Sequence, residues 1–210
     1  MGIQLLSTYL VAITLLTITP GVDTMLVIRN SARGGWWDGA VSSFGICSGL
    51  FMHAVVSAVG ISVILMQTAW AFNSLKLMGA CYLIWLGISN WKNVLQKKQL
   101  LIKDNLSTGN TGFNGMRSFR EGFLSNILNP KTAIFYMAFL PQFINPSKSA
   151  LVQSLILAGL HFIIAMIWQC FLAISINKAK NWLQKPTINR IFGSLTGSVM
   201  IFLGFTLATK

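Results

Sequence analysis

The chain has 210 residues, 54% of them hydrophobic and only 10% charged, with 16 Lys and Arg against 4 Asp and Glu for a formal charge of +12. A soluble domain carries about 25% charged residues, so this composition excludes a soluble enzyme, and the long apolar runs exclude a disordered basic tail. They also argue against nucleic-acid binding, which so basic a chain would otherwise suggest.

A helix crossing a hydrocarbon core of about 30 Å needs roughly 20 residues. The first such run is Leu5 to Ile28, closed by Arg29 and Arg33. It has no cleavage site and no basic residue before it, so it reads as a retained span and not a signal peptide. The uncharged stretch from Gly39 to Leu75 is too long for one crossing. It predicts span two at about Gly39 to Met66, a turn near Gln67 to Ser74, and span three at about Asn73 to Trp91. A polar loop with Lys97, Lys98, Lys103 and the Gly/Asn cluster from Gly109 to Gly115 follows. Span four is predicted at about Phe119 to Leu140, stopping at Pro141, span five at Ser149 to Ile176, and span six at Ile191 to Ala208.

Six spans sort the basic residues. The loops one-two, three-four and five-six carry 12 of the 16, among them Arg29, Arg33, Lys92, Arg117, Arg120 and Arg190. The positive-inside rule then places these loops in the cytoplasm and both termini on the opposite side of the membrane. Trp36, Trp37, Trp70, Trp91 and Trp182 fall near predicted span ends, as an aromatic belt requires.

The spans repeat. Pro20 and Pro130 are 110 residues apart, as are Gly49 and Gly159, while Cys81 to Ile88 aligns with Ser198 to Phe205 at an offset of 117. The predicted fold is therefore an all-α integral membrane protein of two inverted three-helix repeats, residues 1–92 and 119–210, joined by a cytoplasmic linker, 93–118. Spans one and four are expected to break at Thr19-Pro20-Gly21 and Asn129-Pro130-Lys131. Proline removes a backbone hydrogen bond, whereas Thr or Asn followed by Pro suits a helix start. A restarted helix presents free N–H groups and partial positive charge to an anion.

Asp23 follows the first break and Lys131 the second. A charge at the bilayer centre costs about 2.5 to 3.5 kcal/mol on insertion scales, so each needs a partner, a substrate or water. The candidate substrate-binding residues are Thr19, Pro20, Gly21, Asp23, Asn129, Pro130 and Lys131. The candidate proton-coupling groups are Asp23 and His53, the latter because an unperturbed imidazole titrates near pH 6.5; a hydrogen-bonded interface histidine is the competing reading for His53, and more so for His161. Gly45, Gly49, His53 and Ser57 share one helix face, fit for close packing inside the chain or for a homodimer contact. Tyr82 and Gln142 are weaker candidates on position alone.

Cys47, Cys81 and Cys170 form no C-x-x-C pair, and no His, Asp or Cys cluster has ligand spacing, so no metal or cofactor is expected. A membrane-embedded enzyme would need a nucleophile and base or a metal site; two histidines and four acids supply neither. A transporter of another small solute or a metal ion remains the alternative.

These stretches resemble the LysE/RhtB amino-acid exporters. The resemblance rests on Thr19-Pro20-Gly21-Val22-Asp23, Gly45 to Gly49, Lys76 to Gly87, Gly122 to Lys131, and Phe139-Leu140-Pro141-Gln142-Phe143. Val22 departs from it, where the family often has a second proline. The resemblance implies a secondary transporter exporting an amino acid, with proton influx as the coupled reaction.

Overall fold

The computed structural model describes residues 3–67, individual helical positions between 74 and 95, and residues 112–175 and 186–209. The expected turn at Gln67 to Ser74 lies largely outside them, as do Tyr82 and most of the linker. Every regular element among the described residues is helical.

Helix α1 (Ile3–Ile18) ends just before Pro20, and α2 (Val22–Gly34) leaves it at 50°. Gly21 caps α2 in an extended conformation. The α2 helix continues six residues beyond the Ile28 expected to end the first span. Arg29 and Arg33 do not terminate it because both bind Glu121, at 2.6 and 3.2 Å. The helix stops at Gly35, whose φ of 81° favours a residue without Cβ and turns the chain into α3 (Trp36–Gln67).

Helix α3 packs most extensively on α4 (Gly115–Ile127) and α6 (Ala150–Ile174), and next on α2. The start of α4, four residues earlier than expected, follows from local chemistry. Asn114 accepts a hydrogen bond from the Arg117 backbone N–H at 3.0 Å, a helix cap. Its own N–H donates to fully buried Asp38, which also accepts from the Ser118 hydroxyl at 2.8 Å. With Glu121 on Arg29, Asn30 and Arg33, this network ties the start of α3 and the end of α2 to the first turns of α4.

After Ile127 the chain breaks again. Helix α5 (Pro130–Ala138) has Pro130 in its first turn, followed by a 3-10 turn (Leu140–Phe143) that contains Pro141. The helix expected to run to Leu140 thus ends at Ala138, and Pro141 is accommodated in the tighter turn. At 1.5 Å per residue, α4 and α5 are about 20 and 14 Å long, so neither alone crosses a bilayer. The 25-residue stretches Trp36–Gly60 and Ala150–Ile174 are each long and apolar enough to do so, and the bent pair α1 and α2 would make a third.

The core lies where α1, α3, α5 and α6 meet. Phe135, Phe139 and Phe143 pack in succession with ring centroids 4.8 Å apart, tilted and then edge-on, and Tyr9 meets Phe143 edge-on at 5.1 Å. Outside, Ile156, Ile163, Ile167 and Ile174 leave an apolar face of α6 exposed, as lipid would require and water would not favour.

Small residues set the closest approaches. A Cβ on Gly45 would strike the Phe119 carbonyl, and one on Gly122 the Ser42 carbonyl. Ser57 donates to the Tyr136 carbonyl at 2.9 Å. The Gly45 to Ser57 face is therefore covered within the chain by α4 and α5, and it carries no argument for a homodimer. Gly87 packs on Gly197 and Ile201 of α7 (Pro186–Thr209), while Gly204 of α7 packs on Ala80 and Ile84. The second contact set is the first displaced by 117 residues in each direction.

Candidate functional site

The two breaks face each other. Between them lies a cavity with about 450 Å³ of space between atoms, the open solvent at its mouth included. Leu16, Thr17 and Thr19 line it from the end of α1, and Gly21, Asp23 and Thr24 from the start of α2. Ile46 and Leu50 come from α3, and Asn126, Asn129, Lys131 and Thr132 surround the second break. His161, Ala165 and Gln169, at successive intervals of four, form the α6 wall.

Asn129 joins the breaks. Its side-chain oxygen accepts from the Lys131 backbone N–H at 3.0 Å and so caps α5, with Pro130 pre-shaped for the first turn. Its amide Nδ2 donates to Asp23 Oδ2 at 3.0 Å. The Asp23 carboxylate also accepts from Asn126 Nδ2 at 3.0 Å and from Ser125 Oγ at 2.8 Å. Three neutral donors from α4 and its C-terminal break thus hold a charge that would otherwise be expensive in an apolar setting.

Lys131 reaches the opposite way. Its ammonium donates to the carbonyls of Leu16 at 3.1 Å and Thr19 at 3.4 Å, where α1 ends and its dipole is negative. Among the described residues no ion pair joins Lys131 to Asp23; the three that occur all involve Asp38 or Glu121. Each ion is therefore bound by uncharged groups of the other break. A carboxylate offers about four lone-pair sites and an ammonium three hydrogens. With three and two of these engaged, each retains capacity for a ligand.

His161 bridges Thr17 Oγ1 through Nε2 at 3.1 Å and the Tyr136 hydroxyl through Nδ1 at 3.0 Å. Tyr9, alongside, donates to the Leu157 carbonyl at 2.8 Å. His53 is off the cavity wall: its Nε2–H donates to the Asn126 carbonyl at 2.9 Å, one residue removed from Asp23. Gln142 donates to the Ala138 carbonyl and does not line the cavity. Thr19, Gly21, Asp23, Asn129 and Lys131 are brought together at the cavity, with Pro20 and Pro130 shaping its rims.

Sequence reasoning missed Ser125, Asn126 and Gln169, and underweighted His161. The available signal was polarity itself, since an amide or hydroxyl inside an apolar span is costly unless it binds something. Two side-chain acceptors lining the cavity, Asn126 Oδ1 and Gln169 Oε1, are buried without a hydrogen-bond partner among the described residues.

The chain matches the family described as LysE type translocator over residues 14–210. It is 33% identical over 201 residues to the uncharacterized membrane protein YrhP of Bacillus subtilis (strain 168), covering 93% of this chain and 94% of that one. It is 31% identical to a homoserine/homoserine lactone efflux protein of Salmonella typhi, covering 96% and 94%, and 26% identical to a leucine efflux protein of Enterobacter sp. (strain 638), covering 94% and 91%. No solved structure matches this one. With nearly the whole chain matched, the protein belongs to the LysE type translocators, which are membrane transporters and not enzymes.

Proposed function

We propose that this translocator exports a zwitterionic amino acid, or a close derivative, across the inner membrane in exchange for protons, with the cavity between the two breaks as its binding site. The observation that carries this reading is the pair Asp23 and Lys131, opposite in sign, lining the same cavity from the two breaks and not bonded to each other. A zwitterion supplies the missing partner for both, its ammonium at Asp23 and its carboxylate at Lys131. The first turn of α2, which no side chain caps, adds N–H groups that favour an anion at the cavity. The relatives named for homoserine and for leucine efflux support an amino-acid substrate.

Transport follows from the architecture expected of the sequence. Residues 1–92 and 119–210 form inverted halves of three spans each, with both termini outside the cytoplasm and residues 93–118 as the cytoplasmic linker. The reciprocal contacts of Gly87 and Gly204 favour a two-fold relation between the halves. Rocking one half against the other alternates access to the shared cavity. Asp23 alternates between substrate ammonium and a proton, and His53, behind Asn126, is the second group able to pass that proton.

The test is efflux of a panel of labelled amino acids from cells overproducing the protein, against an otherwise identical strain with Lys131→Ala. Export of at least one amino acid, lost in the variant and driven by an imposed pH gradient in proteoliposomes, supports the reading. Equal export by both strains refutes the site.

A further inference from the structure

Asp23 and Lys131 account for the two ends common to every amino acid, which leaves the side chain. The other charged residues of the described structure lie away from the cavity, and His161 is engaged by a hydroxyl on each ring nitrogen. A side chain bearing a charge would therefore be buried without a counterion, at high cost. The remaining walls consist of an apolar part, Leu16, Ile46, Leu50 and Ala165, the short hydroxyl side chains Thr17, Thr24 and Thr132, and the amide of Gln169.

Gln169 is only 6% exposed, lies one turn beyond Ala165 on the cavity face of α6, and has an amide oxygen with no hydrogen-bond partner among the described residues. A buried amide acceptor left unpaired costs roughly 1–3 kcal/mol, which packing alone would have removed by placing a leucine or methionine there. The Asn126 oxygen is also unpartnered, but that side chain is committed to Asp23 through its nitrogen, and its oxygen abuts Gly49. Gln169 has no such commitment to the ions.

We propose that Gln169 is the side-chain selectivity residue of this cavity, its amide oxygen accepting a hydrogen bond from a hydroxyl or amide on a neutral substrate side chain. This rests on the cavity being the amino-acid site. It adds a substrate class: small amino acids with an uncharged hydrogen-bond donor, preferred over apolar ones of the same shape. Donor-bearing substrates satisfy the orphan oxygen, and apolar isosteres leave it unpaired.

Homoserine and norvaline differ by a hydroxyl in place of a methyl, and threonine and valine do likewise. The experiment is counterflow of labelled homoserine in proteoliposomes of the full chain, with each unlabelled amino acid as competitor. The readout is the ratio of half-inhibiting concentrations, which a general loss of active protein does not move. One neutral hydrogen bond gives a preference of roughly fivefold to tenfold for homoserine over norvaline. Gln169→Leu should bring that ratio to within about twofold, as should Gln169→Met, which is close to glutamine in volume and guards against a packing artefact. A wild-type ratio near one, or a ratio unchanged in both variants, overturns the assignment while leaving the cavity as the site. If the wild type moves no amino acid, the underlying reading fails and this one falls with it.

Discussion

Replacing Asp23 with asparagine separates the two things its carboxylate does. As a scaffold it accepts bonds from Ser125, Asn126 and Asn129 at 2.8, 3.0 and 3.0 Å. An asparagine oxygen can keep both amide donors, while its NH₂ turns to the Ser125 hydroxyl, which rotates to accept. All three contacts survive as neutral bonds, each weaker by about 1 kcal/mol than a bond to a charged group. That loss of roughly 3 kcal/mol is offset by removing a charge whose burial in the membrane costs about 2.5 to 3.5 kcal/mol. Asp23→Asn should therefore fold normally, with a melting temperature in detergent within about 3 °C of the parent. As a ligand for an ammonium the asparagine fails, because breaking a buried ion pair costs about 3–5 kcal/mol, or at least a hundredfold in affinity. Asp23→Ala behaves differently, leaving two amides and a hydroxyl unpaired and lowering the melting temperature as well. The assay pairs thermal unfolding with binding of labelled amino acid to purified protein. Asp23→Asn binding at near parental affinity would refute the ammonium assignment, and a large loss of stability would refute the bond accounting.

Lys131→Met removes the cation from the α1 carbonyls and should abolish uptake of zwitterions in counterflow; parental rates in a folded variant would contradict the carboxylate role. Gly49→Ala and Gly159→Ala compare positions 110 apart in the sequence. A Cβ at Gly49 would come within 2.7 Å of Asn126 Oδ1, whereas among the described residues nothing outside its own helix lies within 4 Å of one at Gly159. The first should destabilise by about 1–3 kcal/mol and the second by little, as thermal unfolding would show. Glu121→Gln deletes the acid shared by Arg29 and Arg33, and its destabilisation should be larger at low salt than at high salt because Arg29 is partly exposed to screening ions.

Much of this was legible in the residues because it depends on local chemistry. Proline at 20 and 130 dictates where helices stop, Asn129 before a proline dictates where one restarts, and both observed breaks fall there. The positions of Asp23 and Lys131 beside those breaks follow from chain order alone. Their partners do not. That Asp23 meets Ser125 and Asn126, and that Lys131 turns to the end of α1, depends on how α4 and α5 dock on α1 and α2, which no spacing within one segment encodes. The length of α2 was misjudged for a similar reason. Arg29 and Arg33 look like an end of a span until Glu121, about 90 residues away, supplies their counterion. The stripe from Gly45 to Ser57 was visible as a helix face, but only the backbone carbonyls at Phe119 and Tyr136 show what covers it.

The most direct test of the central claim is substrate protection at the α6 wall. A single cysteine at Ala165, in the full chain with Cys47, Cys81 and Cys170 replaced and transport retained, is treated with a small thiol reagent in proteoliposomes. With the amino acid bound between Asp23 and Lys131, saturating homoserine or leucine should slow its modification severalfold, while an uncharged sugar has no effect. An unchanged labelling rate at a concentration that saturates transport would place the substrate elsewhere.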